Sequence, residues 1–273
     1  MIVSVFINLD TATERRSAIE KNFRAVAPEN WQLVRAPAIC SSDVADMRIE
    51  GALRDEEKAC FLSHLAVIKS SAKQQQPTWI REDDSMLGEK SCAEVMRFLH
   101  QFGDQWDVLF TDLTIADPGT MFSLLRLRRD IGSLHSQALS LAAIGNFAGA
   151  MSYIINPKYS DTLVARLDAD QLSTPFDIAL RKIVLAPDTR AFVLFPFVTT
   201  ENPLIASSCV QPVDGSQIHK AWVAFRRLIW LERDSLQCET ELNRLLSSQE
   251  DLDAKNFGRL MELMADPRLV HED

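Results

Sequence analysis

Thr78-Trp79-Ile80-Arg81-Glu82-Asp83-Asp84 is the stretch on which the reading of this chain turns. A short run rich in β-forming side chains leads straight into three adjacent carboxylates. Before it, Phe61, Leu65 and Ile68 recur at helical spacing, which predicts a helix over 55–73 ended by Gln74-Gln75-Gln76-Pro77. After it comes a polar turn, Ser85 to Lys90. Ser91-x-x-Glu94 then has the form of a capping box, followed by Val95, Phe98, Leu99 and Phe102 on one helical face. Helix, strand, acidic turn and helix in that order predict one unit of an α/β sheet.

The same alternation extends outward in both directions. Ile2 to Leu9 reads as a buried strand. Thr11-x-x-Glu14 is a second possible capping box, and Ile19, Phe23 and Val26 predict a helix over 12–27. Further strands are predicted at Leu33-Val34, 107–110, 151–155 and 192–195, the last closed by Pro196. Residues 40–54 read as a loop. Strands alternating with helices imply a mainly parallel sheet covered on both faces. Ligands gather at the carboxyl ends of such strands, so the segments after Leu9, Ile80 and Phe110 are where chemistry is expected.

From about residue 214 the pattern changes. Ile218, Trp222, Phe225 and Ile229 mark an amphipathic helix, and Leu245, Leu252, Leu260 and Leu263 suggest one or two more. The expected organisation is one domain over 1–210 with a helical extension over 211–273 packed on it.

Composition excludes several classes. With 273 residues, 47% of them hydrophobic, the chain can bury a large core. No segment reaches the roughly 18 consecutive apolar residues of a membrane span. The start, Met1 to Ile7, is too short for a signal peptide and has no basic leader. Cys40, Cys60, Cys92, Cys209 and Cys238 are scattered, odd in number and never in a Cys-x-x-Cys pair, which makes a disulfide framework or a zinc site improbable and argues for reduced thiols in a cytoplasmic protein. Cys60 is expected simply to be packed. The formal net charge of -9 is the wrong sign for a nucleic-acid binder. There is no Gly-x-Gly-x-x-Gly, no phosphate loop and no Gly-x-Ser-x-Gly elbow, so dehydrogenase, P-loop kinase and serine-hydrolase readings lose support.

The acidic triplet remains. Three neighbouring carboxylates repel one another, and Mg2+ or Mn2+ relieves that repulsion because hard cations prefer oxygen. A cation held there can bridge a diphosphate and stabilise the charge that develops as a sugar departs. The alternative is a solvated acidic turn.

Three stretches together resemble glycosyltransferase family 25, the lipooligosaccharide galactosyltransferase group that includes collagen galactosyltransferases. Residues Phe6 to Arg16 look like the family's opening strand, Asn-Leu turn and arginine-bearing helix. Glu57 to Leu65, containing Cys60, Ser63 and His64, is similar to its Gly-Glu-x-Gly-Cys-x-x-Ser-His segment. Glu82-Asp83-Asp84 matches its Glu-Asp-Asp. Fainter echoes lie at Ala150 to Lys158, Pro175-Phe176-Asp177 and Ser207-Ser208. The resemblance spans roughly residues 1–210.

It implies an A-type glycosyltransferase fold, a UDP-sugar donor (usually UDP-galactose), a glycan or glycolipid acceptor such as lipopolysaccharide, inversion at the anomeric carbon, and Mn2+ or Mg2+. By the same resemblance Glu82, Asp83 and Asp84 would bind the metal and the ribose-diphosphate. Asn8, Asp10, Arg15 and Arg16 are placed to contact the nucleotide, with a solvated helical turn as the other reading of the two arginines. Ser63 and His64 are placed near phosphate or sugar, a buried structural histidine being the other reading of His64. Asp177 is the candidate general base, with Asp112 in reserve; for Asp177 the other reading is a carboxylate favourably placed in a helix's first turn.

Two departures stand out. Arg81 occupies a position that is usually aliphatic in the family, where it could pair with the triplet or point to solvent. Ala59 and Asp55-Glu56 stand where glycines are common. Leu124 to Arg129 forms a basic, apolar patch, a candidate for peripheral membrane or acceptor-lipid contact, although a solvated amphipathic helix is the commoner explanation. Two rivals to the transferase remain in view. One is a catalytically silent relative that binds a sugar nucleotide or a protein. The other is a nucleotidyltransferase, against which stands the lack of a glycine-rich loop between Leu9 and Arg16.

Overall fold

A computed structural model describes residues 2–74, 76–132, 134–203 and 217–233, with isolated residues between 238 and 259. In chain order the elements are β1 (Val3–Asn8), α1 (Thr13–Val26), β2 (Gln32–Pro37), α2 (Ser41–Asp46), α3 (Asp55–Ser71), β3 (Thr78–Glu82) and β4 (Ser85–Leu87). There follow α4 (Ser91–Phe102), β5 (Val108–Phe110), α5 (Pro118–Ile131), β6 (Gln137–Ser140), α6 (Leu141–Ile144), β7 (Ser152–Ile155) and α7 (Ser160–Asp168). The chain continues through α8 (Phe176–Val184), β8 (Ala191–Phe195), β9 (Thr199–Glu201) and α9 (Gln217–Leu228).

Seven strands form one sheet in the order β2-β1-β3-β7-β5-β8-β6, and β4 pairs with β9 in a small second sheet. β1, β2 and β3 are mutually parallel, and β5 is parallel to β8. β7 runs antiparallel to both β3 and β5, and β6 antiparallel to β8. Five of the seven strands therefore share a direction, and the α/β class with a mostly parallel sheet is as expected. The central strands are buried along nearly their whole length, whereas the edge strands β2 and β6 are not. That is the pattern of a sheet covered on both faces.

The two-residue pleat sorts β3 between two cores. Ile80 packs with Val3, Val5 and Ile7 of β1 beneath α3, α7 and α8. Trp79 faces the other way, among Phe23 of α1, Trp31, and Val95 and Phe98 of α4. Ala224, Phe225, Leu228 and Ile229 of the tail enter the first of these cores, so α9 packs on the sheet. Leu245, Leu252, Leu260, Leu263 and the side chain of Ile218 lie outside the described residues.

Local expectations fail where tertiary partners win. Neither predicted capping box forms. α1 is preceded by Ala12 with no side-chain cap. At α4, Ser91 accepts from the Gly88 N–H and donates to the Val198 carbonyl, while Glu94 takes the Ser136 N–H, Arg97 and His135. The stretch read as a loop contains α2, anchored by fully buried Val44 and by Asp43, which accepts from the Cys40 N–H. The basic patch lies on α5. Leu124 and Arg128 are buried, and Arg128 donates to the Leu231 carbonyl, so only part of the patch, Arg126 and Arg129 included, faces solvent. No helix among the described residues is long and apolar enough to cross a membrane.

Candidate active site

β1 and β3 run side by side, pairing Ile7 with Glu82, so their carboxyl ends deliver Asn8 and the acidic triplet to one place. A cleft of about 380 Å³ opens there. α1 contributes Arg15 to its lining, α3 contributes Cys60, Ser63 and His64, and the segment after β2 contributes Ile39 to Ser42.

The three carboxylates do different things. Asp83 is clamped: Asn8 Nδ2 donates to one oxygen at 2.7 Å and Arg15 donates to the other at 2.8 Å. Asn8 is itself held by Arg35, which donates to its side-chain oxygen at 2.9 Å and to its backbone carbonyl at 3.0 Å. Asp84 is left open. Its Oδ2 lies 3.7 Å from Arg15, and its buried Oδ1 has no hydrogen-bond partner among the described residues. Burial, reinforced by the negative charges of Glu82 and Glu201, pushes the Asp84 carboxyl well above its ordinary range, with Arg15 opposing. Glu82 goes the other way. Burial alone would raise it, but the His64 bond and the charges of His64, Arg226 and Arg15 hold it below its usual value. Of these two carboxyls, Asp84 is therefore the one short of compensating positive charge. The donor set fits a hard divalent ion: Glu82 and Asp84 have oxygens to offer, and Asp83 has both of its own engaged.

His64 lies flat against Phe176, with ring centroids 4.2 Å apart, and also stacks on Tyr153. Its Nδ1 is 3.0 Å from the Tyr153 hydroxyl and its Nε2 is 3.3 Å from Glu82. Ser63 donates to the Ala59 carbonyl and accepts from the Ile39 N–H, so its hydroxyl ties the cleft wall to α3. Two other residues singled out in the sequence do not line the cleft. Arg16 is exposed and pairs with Glu20, and Asp10 is exposed and pairs with Arg35.

Asp177 is half-buried in the first turn of α8, where it accepts from the Gly149 N–H at 3.1 Å. Asp112 lies deeper, only 2% exposed, with Arg226 of α9 3.4 Å away. Burial raises it to about 6, Arg226 opposing and Glu82 reinforcing.

Arg81 neither neutralises the triplet nor reaches solvent. The pleat turns it to the face opposite Glu82, where it is completely buried, donates to the Ser4 hydroxyl at 3.1 Å and lies over the rings of Phe23 and Trp79. Arg35, Tyr153 and Arg226 were not anticipated. Arg35 and Tyr153 sit in strands, and nothing in strand periodicity marks them as neighbours of the triplet. Ser207 and Ser208 lie outside the described residues.

The family model of glycosyltransferase family 25 (LPS biosynthesis protein) matches residues 1–180, well over half of the chain. The chain belongs to this family. The matched residues carry every strand of the cleft and the whole acidic triplet, so this family 25 chain has glycosyl transfer as its broad activity. Among solved structures it is similar to mouse xyloside xylosyltransferase 1 in its apo form, at 9% identity and a TM-score of 0.39, over 71% of each chain. No curated protein matches it. Arg226, which reaches Asp112, lies beyond the matched residues.

Proposed function

We propose that this family 25 transferase moves a hexose, galactose in the first instance, from a UDP-sugar to a glycan acceptor of lipopolysaccharide type, with inversion and with Mn2+ or Mg2+ required. One observation carries the reading: the Asp84 carboxylate sits at the end of β3 beside the cleft with a buried oxygen that no described residue satisfies. Glu82 and Asp84 would hold the cation. Bound there, it would supply positive charge to the diphosphate leaving group.

The chain's own residues do the rest. Arg15 and Asn8 fix Asp83, and through it the turn that carries Asp84. Arg15, which lines this part of the cleft, would also meet a phosphate. Single-displacement inversion needs a base at the attacking hydroxyl. Asp177 suits that role better than Asp112, because it is partly open whereas Asp112 is sealed beneath Arg226.

Arg81, which could have paired with the triplet, is one of the two departures from the family pattern. With that side chain engaged by Ser4, Phe23 and Trp79, the triplet is not neutralised by it. Purified protein incubated with UDP-galactose, UDP-glucose and UDP-N-acetylhexosamines should release UDP slowly in Mn2+, fastest with the true donor. Release should cease in EDTA and in Asp84→Asn. Tight UDP binding without turnover, even with acceptor glycans supplied, would overturn the proposal in favour of the silent relative.

A further inference from the structure

On α3, Cys60 and His64 are four residues apart and so share one face, the face that lines the cleft opposite the end of β3. Their side chains meet Glu82 there. The Cys60 sulfur, a His64 ring nitrogen and a Glu82 carboxylate oxygen all lie within 4.8 Å of one another. Tetrahedral zinc, with bonds of about 2.0–2.3 Å, sets its donor atoms roughly 3.3–3.8 Å apart, so adjustments of about an ångström close the set.

A second observation concerns the ring. His64 is pinned between Phe176 and Tyr153, and its Nδ1 is engaged by the Tyr153 hydroxyl. With a metal bound, Nδ1–H would donate to the tyrosine oxygen and the Nε2 lone pair would be free for the ion, the outer-shell arrangement that fixes a metal-binding imidazole. Without a cation, the ring must take the opposite tautomer or a second proton to face the carboxylate 3.3 Å away.

We propose that Cys60, His64 and Glu82 form a three-ligand site for a borderline-soft divalent cation of the zinc class, with the fourth position open to the cleft. Thiolate and imidazole select such an ion over Mg2+ or Mn2+. On binding, the Cys60 thiol proton passes to solvent and sulfur donates its lone pair to the metal. The consequence for activity rests on the transferase reading. Because Glu82 belongs to both donor sets, an ion bound to Cys60 and His64 withdraws a carboxylate from the hard-cation site, and zinc inhibits transfer.

The test is Co2+ titration of the full chain, monitored for the near-ultraviolet thiolate-to-cobalt charge-transfer band. The band should rise to a plateau at one equivalent, collapse on adding Zn2+, disappear in Cys60→Ser and persist in Cys92→Ser, whose thiol is buried in the other core. His64→Gln should weaken Co2+ binding at least tenfold. Absence of the band in folded protein would overturn the site. So would its survival in Cys60→Ser, or cobalt binding with no thiolate signature. The readout is independent of transfer. A band without UDP release leaves this site standing while the transferase reading falls, and UDP release without a band does the reverse.

Discussion

Arg81→Met should make the protein more stable, although it removes a charged residue from the middle of the sheet. Burial lowers the Arg81 guanidinium from its usual 12.5 to about 10. At about 1.4 kcal/mol per pH unit this represents about 3 kcal/mol of cost in keeping the charge inside. Two terms offset the gain from removing it. The stacking over Phe23 and Trp79 contributes about 1 kcal/mol, and the Ser4 hydroxyl loses a partner at about 1 kcal/mol. The two terminal nitrogens have no hydrogen-bond partner among the described residues, so nothing more is lost with them. The balance is about 1 kcal/mol in favour of methionine, a rise of about 2–4 °C in melting temperature. Replacement of buried charge by apolar side chains of similar volume has this sign in other proteins. Arg81→Lys should do the opposite, because an ammonium is more strongly hydrated and cannot stack as a plane. Thermal melts of the three proteins at pH 7 decide the matter. If Arg81→Met melts several degrees below the parent, the guanidinium has energetic partners beyond Ser4, Phe23 and Trp79.

The buried acid Asp112 gives a pH test. Its folded value of about 6 exceeds its ordinary 3.8, so between these values the folded chain keeps a proton that the unfolded chain has lost. Its contribution to stability is complete below about 4 and disappears as pH rises through about 6. Asp112→Asn should therefore flatten the melting-temperature profile across that window, and parallel profiles for variant and parent would refute the assignment. In the tail, Phe225 is fully buried in the core beneath the sheet. Phe225→Ala should cost about 3–5 kcal/mol in urea unfolding, and a loss below about 1 kcal/mol would show that α9 does not unfold with the rest.

Most helices and central strands were legible because burial imposes a period, and β1, α1, α3, β3 and α4 follow theirs closely. Strand direction carries no such mark. Tyr153 and Ile154 read alike forwards and backwards, and only packing between β3 and β5 makes β7 run against them. Capping boxes were misread because a serine or glutamate serves whichever partner folding brings. For Glu94 those partners are Ser136, Arg97 and His135. Of the two adjacent arginines in α1, helical rotation turns one to Asp83 and the other to Glu20, and the sequence alone does not say which faces the sheet.

By itself, then, the sequence determined the alternation of elements, the placing of three carboxylates at a strand end and the membership of Cys60 and His64 in one helical face. All of these follow from near-neighbour geometry along the chain. Only the tertiary structure decided that Asp83 is clamped while Asp84 is left open, that Arg81 is spent on Ser4, Phe23 and Trp79 and pairs with neither, and that Arg226 from the tail reaches Asp112. Those outcomes depend on atoms that are far apart in sequence and on how much water the packing excludes from between them. No local pattern encodes either quantity.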